Sequence, residues 1–191
     1  MSAAKTRGEI LAVSAPLFAE RGVAGTTMRA IADGCSIKAA SLYHHFASKD
    51  EIVAELMTQS SAHVVELYDT IRAADFDPAA KVEALMRATL TNFRLHRNSA
   101  RMFYENPSYV LTAPLLQRVR DDAVANDALW VEAIDEAIAA GVIRDDIDPA
   151  RLKVLLRTMM LSISRGIDPA RIGDVTDDVV ALLLHGAFSR R

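Results

Sequence analysis

A single cysteine, Cys35, stands in the 191 residues. No intramolecular disulfide can form, and a zinc site built on clustered cysteines is excluded. That usage suits a reducing cytoplasm, the compartment expected here. Long apolar runs are missing as well. The most apolar late stretch, residues 152–163, carries Lys153 and Arg157 and is too short to cross a bilayer, so no membrane partner is expected. Lys5, Arg7 and Glu9 lead into short apolar runs only, and a secretory signal is not expected. The sequence has no glycine-rich phosphate loop, no G-x-S-x-G elbow and no H-E-x-x-H pair. The adjacent acids Asp145 and Asp146 read as turn chemistry. No enzyme activity, cofactor or metal is expected. No segment alternates long enough to form a confident strand, and there is no internal repeat or low-complexity tract.

What is present is helical. With 51% apolar and 25% charged residues, the composition is that of an ordinary globular protein. Ile10, Val13, Leu17 and Phe18 share one face of a first helix, which Arg21-Gly22 ends. Thr26-Thr27 offers a hydroxyl cap to a second helix striped by Met28, Ile31, Ala32 and Cys35. "KAASLYHHF" forms a short third, with Ala39, Leu42 and Phe46 inward. Ser48 and Glu51 make a capping box for a long fourth. Asp77-Pro78 starts a fifth, and a short sixth and a connector surround Pro107. Pro114 opens a seventh ending at Ala140-Gly141, Asp148-Pro149 an eighth, and Asp174 or Thr176 caps a ninth. The last two are apolar nearly all round, which points to burial on two sides, by the core and by a second subunit. The alternative is that both are central in the monomer.

Charge is unevenly spread. Net charge is −3, yet residues 1–49 hold six Lys/Arg against three acids, net +3, leaving −6 on the rest. A basic head on an acidic body is expected where only the head meets a polyanion. The second and third helices with their tight turn have helix-turn-helix proportions, in which the later helix enters the major groove. "FAERGVAGTTMRAIADGCSIKAASLYHHFASKDEI", Phe18 to Ile52, resembles the DNA-binding head of the TetR family of bacterial one-component transcriptional regulators. The shared features are the aromatic-Ala-Glu-Arg-Gly exit, the Thr-Thr cap, the Ile-Ala pair, Leu-Tyr-His-His-Phe and Ser-Lys-Asp-Glu. The resemblance covers about fifty residues; the remainder matches in helix count and length. It implies an all-α fold with a DNA-binding domain over 1–50 and a helical ligand-binding and dimerisation domain over 51–191. It further implies a homodimer through the last two helices, gripping a palindromic double-stranded operator and released by a small effector.

The residues fit such a head. Tyr43, His44 and Lys49 can bond phosphate oxygens, and Thr27 can do the same at the second helix. Arg29 can reach phosphate or a guanine edge, and Lys38 and Ser41 phosphate or base edges. Ala39 or Ala40 can meet a thymine methyl. Lys5 and Arg7 form a basic arm. A metal site at His44-His45 fails, because neighbouring helical residues project about 100° apart; His45 reads as structural. The turn departs from the family pattern: members usually carry glycine where this chain has Ser36, and Gly34 lies earlier. A left-handed backbone at Ser36 costs roughly 1 kcal/mol.

Pocket candidates in the second domain are Met86, Leu90, Phe93, Met102, Phe103, Tyr104, Tyr109, Trp130, Ile134 and Met159, an apolar and adaptable set of residues each more often plain core than ligand contact. Arg157, Leu161 and Arg165 share one helix face. Their arginines pair with Asp135 or Glu136, sit at a rim or dimer edge, or hold the anionic end of a greasy ligand. "ALWVEAIDEAIAAGVIRDDIDPARL" is loosely similar to members controlling lipid or steroid breakdown, whose effectors include acyl-CoA thioesters. Two alternatives stay open: a DNA-binding dimer without an effector, and a helical binding protein or enzyme whose head no longer binds DNA.

Overall fold

A computed structural model describes residues 6–166 and 172–185, without the side chains of 164–166, 172–175 and 183–185. Lys5 and the Arg165 side chain therefore lie outside the described residues. Among those described, the chain is all-helical, with ten α-helices and no strand. They are α1 (Arg7–Gly25), α2 (Met28–Gly34), α3 (Ala39–Tyr43), α4 (Lys49–Ala73), α5 (Pro78–Leu95), α6 (Arg97–Glu105), α7 (Pro107–Thr112), α8 (Gln117–Ala139), α9 (Pro149–Gly166) and α10 (Ile172–His185). The expected connector around Pro107 is itself helical, with Pro107 at its first position, where a missing N–H costs nothing. A 3₁₀ turn, Pro114–Leu116, precedes α8. Helix α10 is already helical at Ile172, ahead of the expected caps.

Local signals explain the boundaries. Thr6 and Glu9 form a reciprocal capping box at α1, with Thr6 N donating to Glu9 Oε2 at 2.7 Å and Glu9 N to Thr6 Oγ1 at 3.2 Å. Helix α1 does not stop at Gly22 but kinks there, with φ at +73°, a conformation open to glycine at little cost. At α4, Glu51 N donates to Ser48 Oγ as expected, while the Glu51 carboxylate accepts from Ala47 N instead of the cap residue. Asp77 accepts from Ala79 N and Ala80 N at α5, and Asp148 from Arg151 N at α9. Past α8, Gly141 takes φ +72°, and Val142 N donates back to Ala137 O, a glycine exit from the helix.

The chain divides into two compact units. The first joins residues 1–62 with 96–121, and the second joins 63–95 with 122–191. This differs from the boundary expected after residue 50: the start of α4, all of α6 and α7 and the first residues of α8 cluster with the head. The first unit's core holds Ile10, Phe18, Ile31, Leu42, Phe46, Ile52 and Met57 together with Met102, Val110 and Leu116. In the second unit, α5 packs against α9 and α10. Val82, Leu85, Met86, Leu90, Phe93, Trp130, Ile134 and Met160 are buried there. A polar chain crosses this core. Trp130 Nε1 donates to Tyr68 Oη at 2.7 Å, Tyr68 Oη lies 2.7 Å from Thr89 Oγ1, and Thr89 donates to Leu85 O at 2.8 Å. Because Trp130 only donates and the Thr89 proton goes to Leu85, the Tyr68 proton points at Thr89.

Candidate nucleic-acid interface

Helix α2 starts at the Thr27 cap, whose Oγ1 accepts from Ala30 N at 3.1 Å; a hydroxyl that accepts one bond can still donate another. Ile31 and Ala32 are buried beneath it, and Arg29 stands out with 89% of its side chain exposed, 4.0 Å from Asp33. The turn to α3 is tight. Ser36 takes φ +55°, the positive value expected for a residue in the glycine place. Ser36 N donates to Asp33 O and Ile37 N to Ala32 O. Gly34 answers a different need: a Cβ there would lie 3.0 Å from Val13 Cγ1, a contact tight enough that the Val13 side chain would have to give way.

Leu42, with no exposed surface, fixes how α3 is rotated, and Phe46 is buried just beyond it. Lys38, Ala39, Ala40, Ser41, Tyr43 and His44 all face outward, Tyr43 at 54% exposure. Ala39 was expected inward; as the first residue of α3, a turn ahead of the buried Leu42, it is exposed.

Two basic residues serve the fold. Lys49 is half-buried, and its ammonium donates to Val23 O at 2.8 Å and Thr26 O at 3.2 Å. It ties the end of α1 to the start of α4, a different use from the phosphate contact expected. Arg7 is no free arm. It pairs with Glu55, donates to the carbonyl of His45, and lies with its guanidinium carbon 3.9 Å from the centre of the Phe46 ring. The Glu55 hydrogen bond, above all, raises its pKa. His45 thus contributes a backbone oxygen to the clamp. Sequence reasoning missed this clamp, although Thr6-x-x-Glu9 is a legible helix start that positions Arg7 at its first turn.

The pocket residues do not come together as one set. Met86, Leu90, Phe93, Trp130 and Ile134 are buried in the second unit. Met102 is fully buried in the first unit's core, with Phe103 and Tyr109 packed against it. Tyr109 Oη donates to Asp50 Oδ1 at 2.8 Å, and burial followed by this bond raises its phenol pKa. These three are head residues, because α6 packs on α1 and α7 on α6. Met159 is 43% exposed, so it is no interior residue, and Leu161 is half-buried. Arg157 pairs with Asp127 at 2.5 Å, not with Asp135 or Glu136, and Lys153 shares that carboxylate at 2.8 Å. Glu136 is held by Lys81 at 2.9 Å. An open groove of about 590 Å³ runs beside these pairs, between Ala128, Val131, Asp135 and Lys153.

A head with this geometry has known counterparts. The family model for bacterial regulatory proteins of the tetR family matches residues 10–56. Over 142 residues the chain is 32% identical to the HTH-type transcriptional repressor KstR2 of Mycobacterium tuberculosis (strain ATCC 25618 / H37Rv), spanning 74% of this chain and 71% of that protein. The chain belongs to the tetR family. The fold is shared as well: the structure of the ketosteroid transcriptional regulator KstR2 of Mycobacterium tuberculosis superposes with a TM-score of 0.87 at 28% identity, covering 100% of both chains. AibR, solved in complex with isovaleryl coenzyme A and operator DNA, shares the fold at a TM-score of 0.76 and 22% identity, over 95% of this chain and 99% of that one. This tetR-family member is a helix-turn-helix, DNA-binding transcriptional regulator. Among the described residues no helix is long and apolar enough to cross a membrane.

Proposed function

We propose that the chain is a homodimeric repressor acting in the cytoplasm, released from a palindromic operator by a small, mostly apolar effector, an acyl-CoA thioester of lipid or steroid breakdown. It acts by binding and not by catalysis. The observation that carries the reading is the outward face of α2 and α3. Thr27, Arg29, Lys38, Ala39, Ala40, Ser41, Tyr43 and His44 are exposed together, while Leu42 and Phe46 anchor the helix from below. The polar members of this set can grip phosphates and base edges. The likeness to a ketosteroid regulator supports the effector class, and the fold accommodates an acyl-CoA in AibR. Lys153, on the lining of the open groove beside Asp127, supports the anionic part. Release is a population shift, in which the effector favours the conformation whose head spacing fits DNA poorly.

The test is binding of the purified protein to duplex DNA from just upstream of its own coding region, at two salt concentrations, with and without a long-chain acyl-CoA. Tight, salt-sensitive binding that the thioester releases and free coenzyme A does not is the expected result. Tyr43→Phe weakens that binding. Binding untouched by acyl-CoA keeps the regulator and rejects the effector class.

A further inference from the structure

The outward side of α3 has little with which to tell one purine from another. In the major groove arginine pairs bidentately with guanine, and asparagine or glutamine with adenine. Helix α3 carries none of these residues. Lys38 at its cap brings a single ammonium, which suits any acceptor, and Arg29 belongs to α2. Ser41 and Tyr43 bring hydroxyls, which bond donors and acceptors alike, and beside them α3 presents two adjacent methyl groups, Ala39 and Ala40, both exposed. A methyl group leaves a base's donors and acceptors unsatisfied when pressed against them, at a real cost. The one major-groove feature it matches is the 5-methyl group of thymine.

We propose that Ala39 and Ala40 are specificity-determining residues that read thymine methyl groups in each operator half-site. The inference rests on the DNA-binding reading above. Its size follows from apolar burial: deleting one buried methyl group changes affinity about fourfold, and deleting it in both half-sites about fifteenfold.

Random-sequence duplexes are enriched on the full-length protein, and each thymine of the winning site is then replaced by deoxyuridine. That change deletes the methyl group, keeps every hydrogen bond and leaves the protein untouched. One or two thymines per half-site weaken binding about fourfold when replaced. The weakening disappears in Ala39→Gly or Ala40→Gly protein, with Ala39→Ser and Ala40→Ser as helix-compatible versions should the glycine variants melt early. Deoxyuridine that leaves affinity within about twofold at every thymine overturns the inference. So does an equal loss in wild type and variants, because another group then reads the methyl. Enrichment that returns no sequence rejects the DNA-binding reading itself, a result distinct from either.

Discussion

Ser36 shows how far one residue is legible. The sequence places a non-glycine residue where the turn demands a left-handed backbone, and the structure has φ at +55° there. Ser36→Gly relieves a strain of roughly 1–2 kcal/mol and adds unfolded-state entropy worth less. Thermal melting should therefore rise by about 1–4 °C; an unchanged or lower midpoint means the serine is not strained. Lys49 marks the limit. A lysine beside a helix start reads as a phosphate ligand, and nothing local announces that the carbonyls of Val23 and Thr26, more than twenty residues away, take its ammonium. Lys49→Met should lower stability by about 1–2 kcal/mol while leaving the slope of log affinity against log salt unchanged. Removal of a phosphate ligand would cut that slope by about 0.9.

At the scale of elements, helix starts are the best-read feature. Asp77-Pro78, Asp148-Pro149 and Ser48 are caps within a residue of where the sequence puts them, because capping is decided over four residues. The destination of a helix is not a local property. Met102, Phe103 and Tyr109 have the spacing of core residues, but spacing says nothing of which core, and α6 and α7 join the head. Tyr109 is the visible join, its phenol held protonated by burial and by the bond to Asp50. A raised phenol pKa stabilises the fold fully below the ordinary value of about 10. That stability is lost as pH climbs from there towards the folded value, since the unfolded chain ionises first. Melting temperature should fall more steeply above pH 10 in the wild type than in Tyr109→Phe, which starts lower at pH 8. Parallel curves would show that the bond carries no linked stability.

For the whole molecule, the wide apolar girth of the last two helices resolves into two faces. On α9, Leu156 and Met160 point inward, while Val154, Leu155 and Met159 lie 50%, 57% and 43% exposed. On α10, Val179 and Val180 are buried and Leu182 is 47% exposed. An amphipathic helix would put polar groups on that second side. Large side chains left half in water on two packed helices are the surface that the proposed homodimer would cover, each worth about 1.5–3 kcal/mol when buried. Placing charges there, as in Leu155→Glu with Leu182→Glu, should yield a folded monomer by sedimentation, because neither side chain supports the monomer's own core. The heads stay intact in that variant, so DNA binding persists but loses its two-site character. Affinity for the operator drops steeply, and the salt slope falls to about half, because a lone head neutralises half the phosphates. A monomer that keeps the full slope would mean that one head makes all the phosphate bonds and that the palindrome is not read by two. A variant that stays dimeric would move the interface away from α9 and α10 and leave their exposed leucines for another partner.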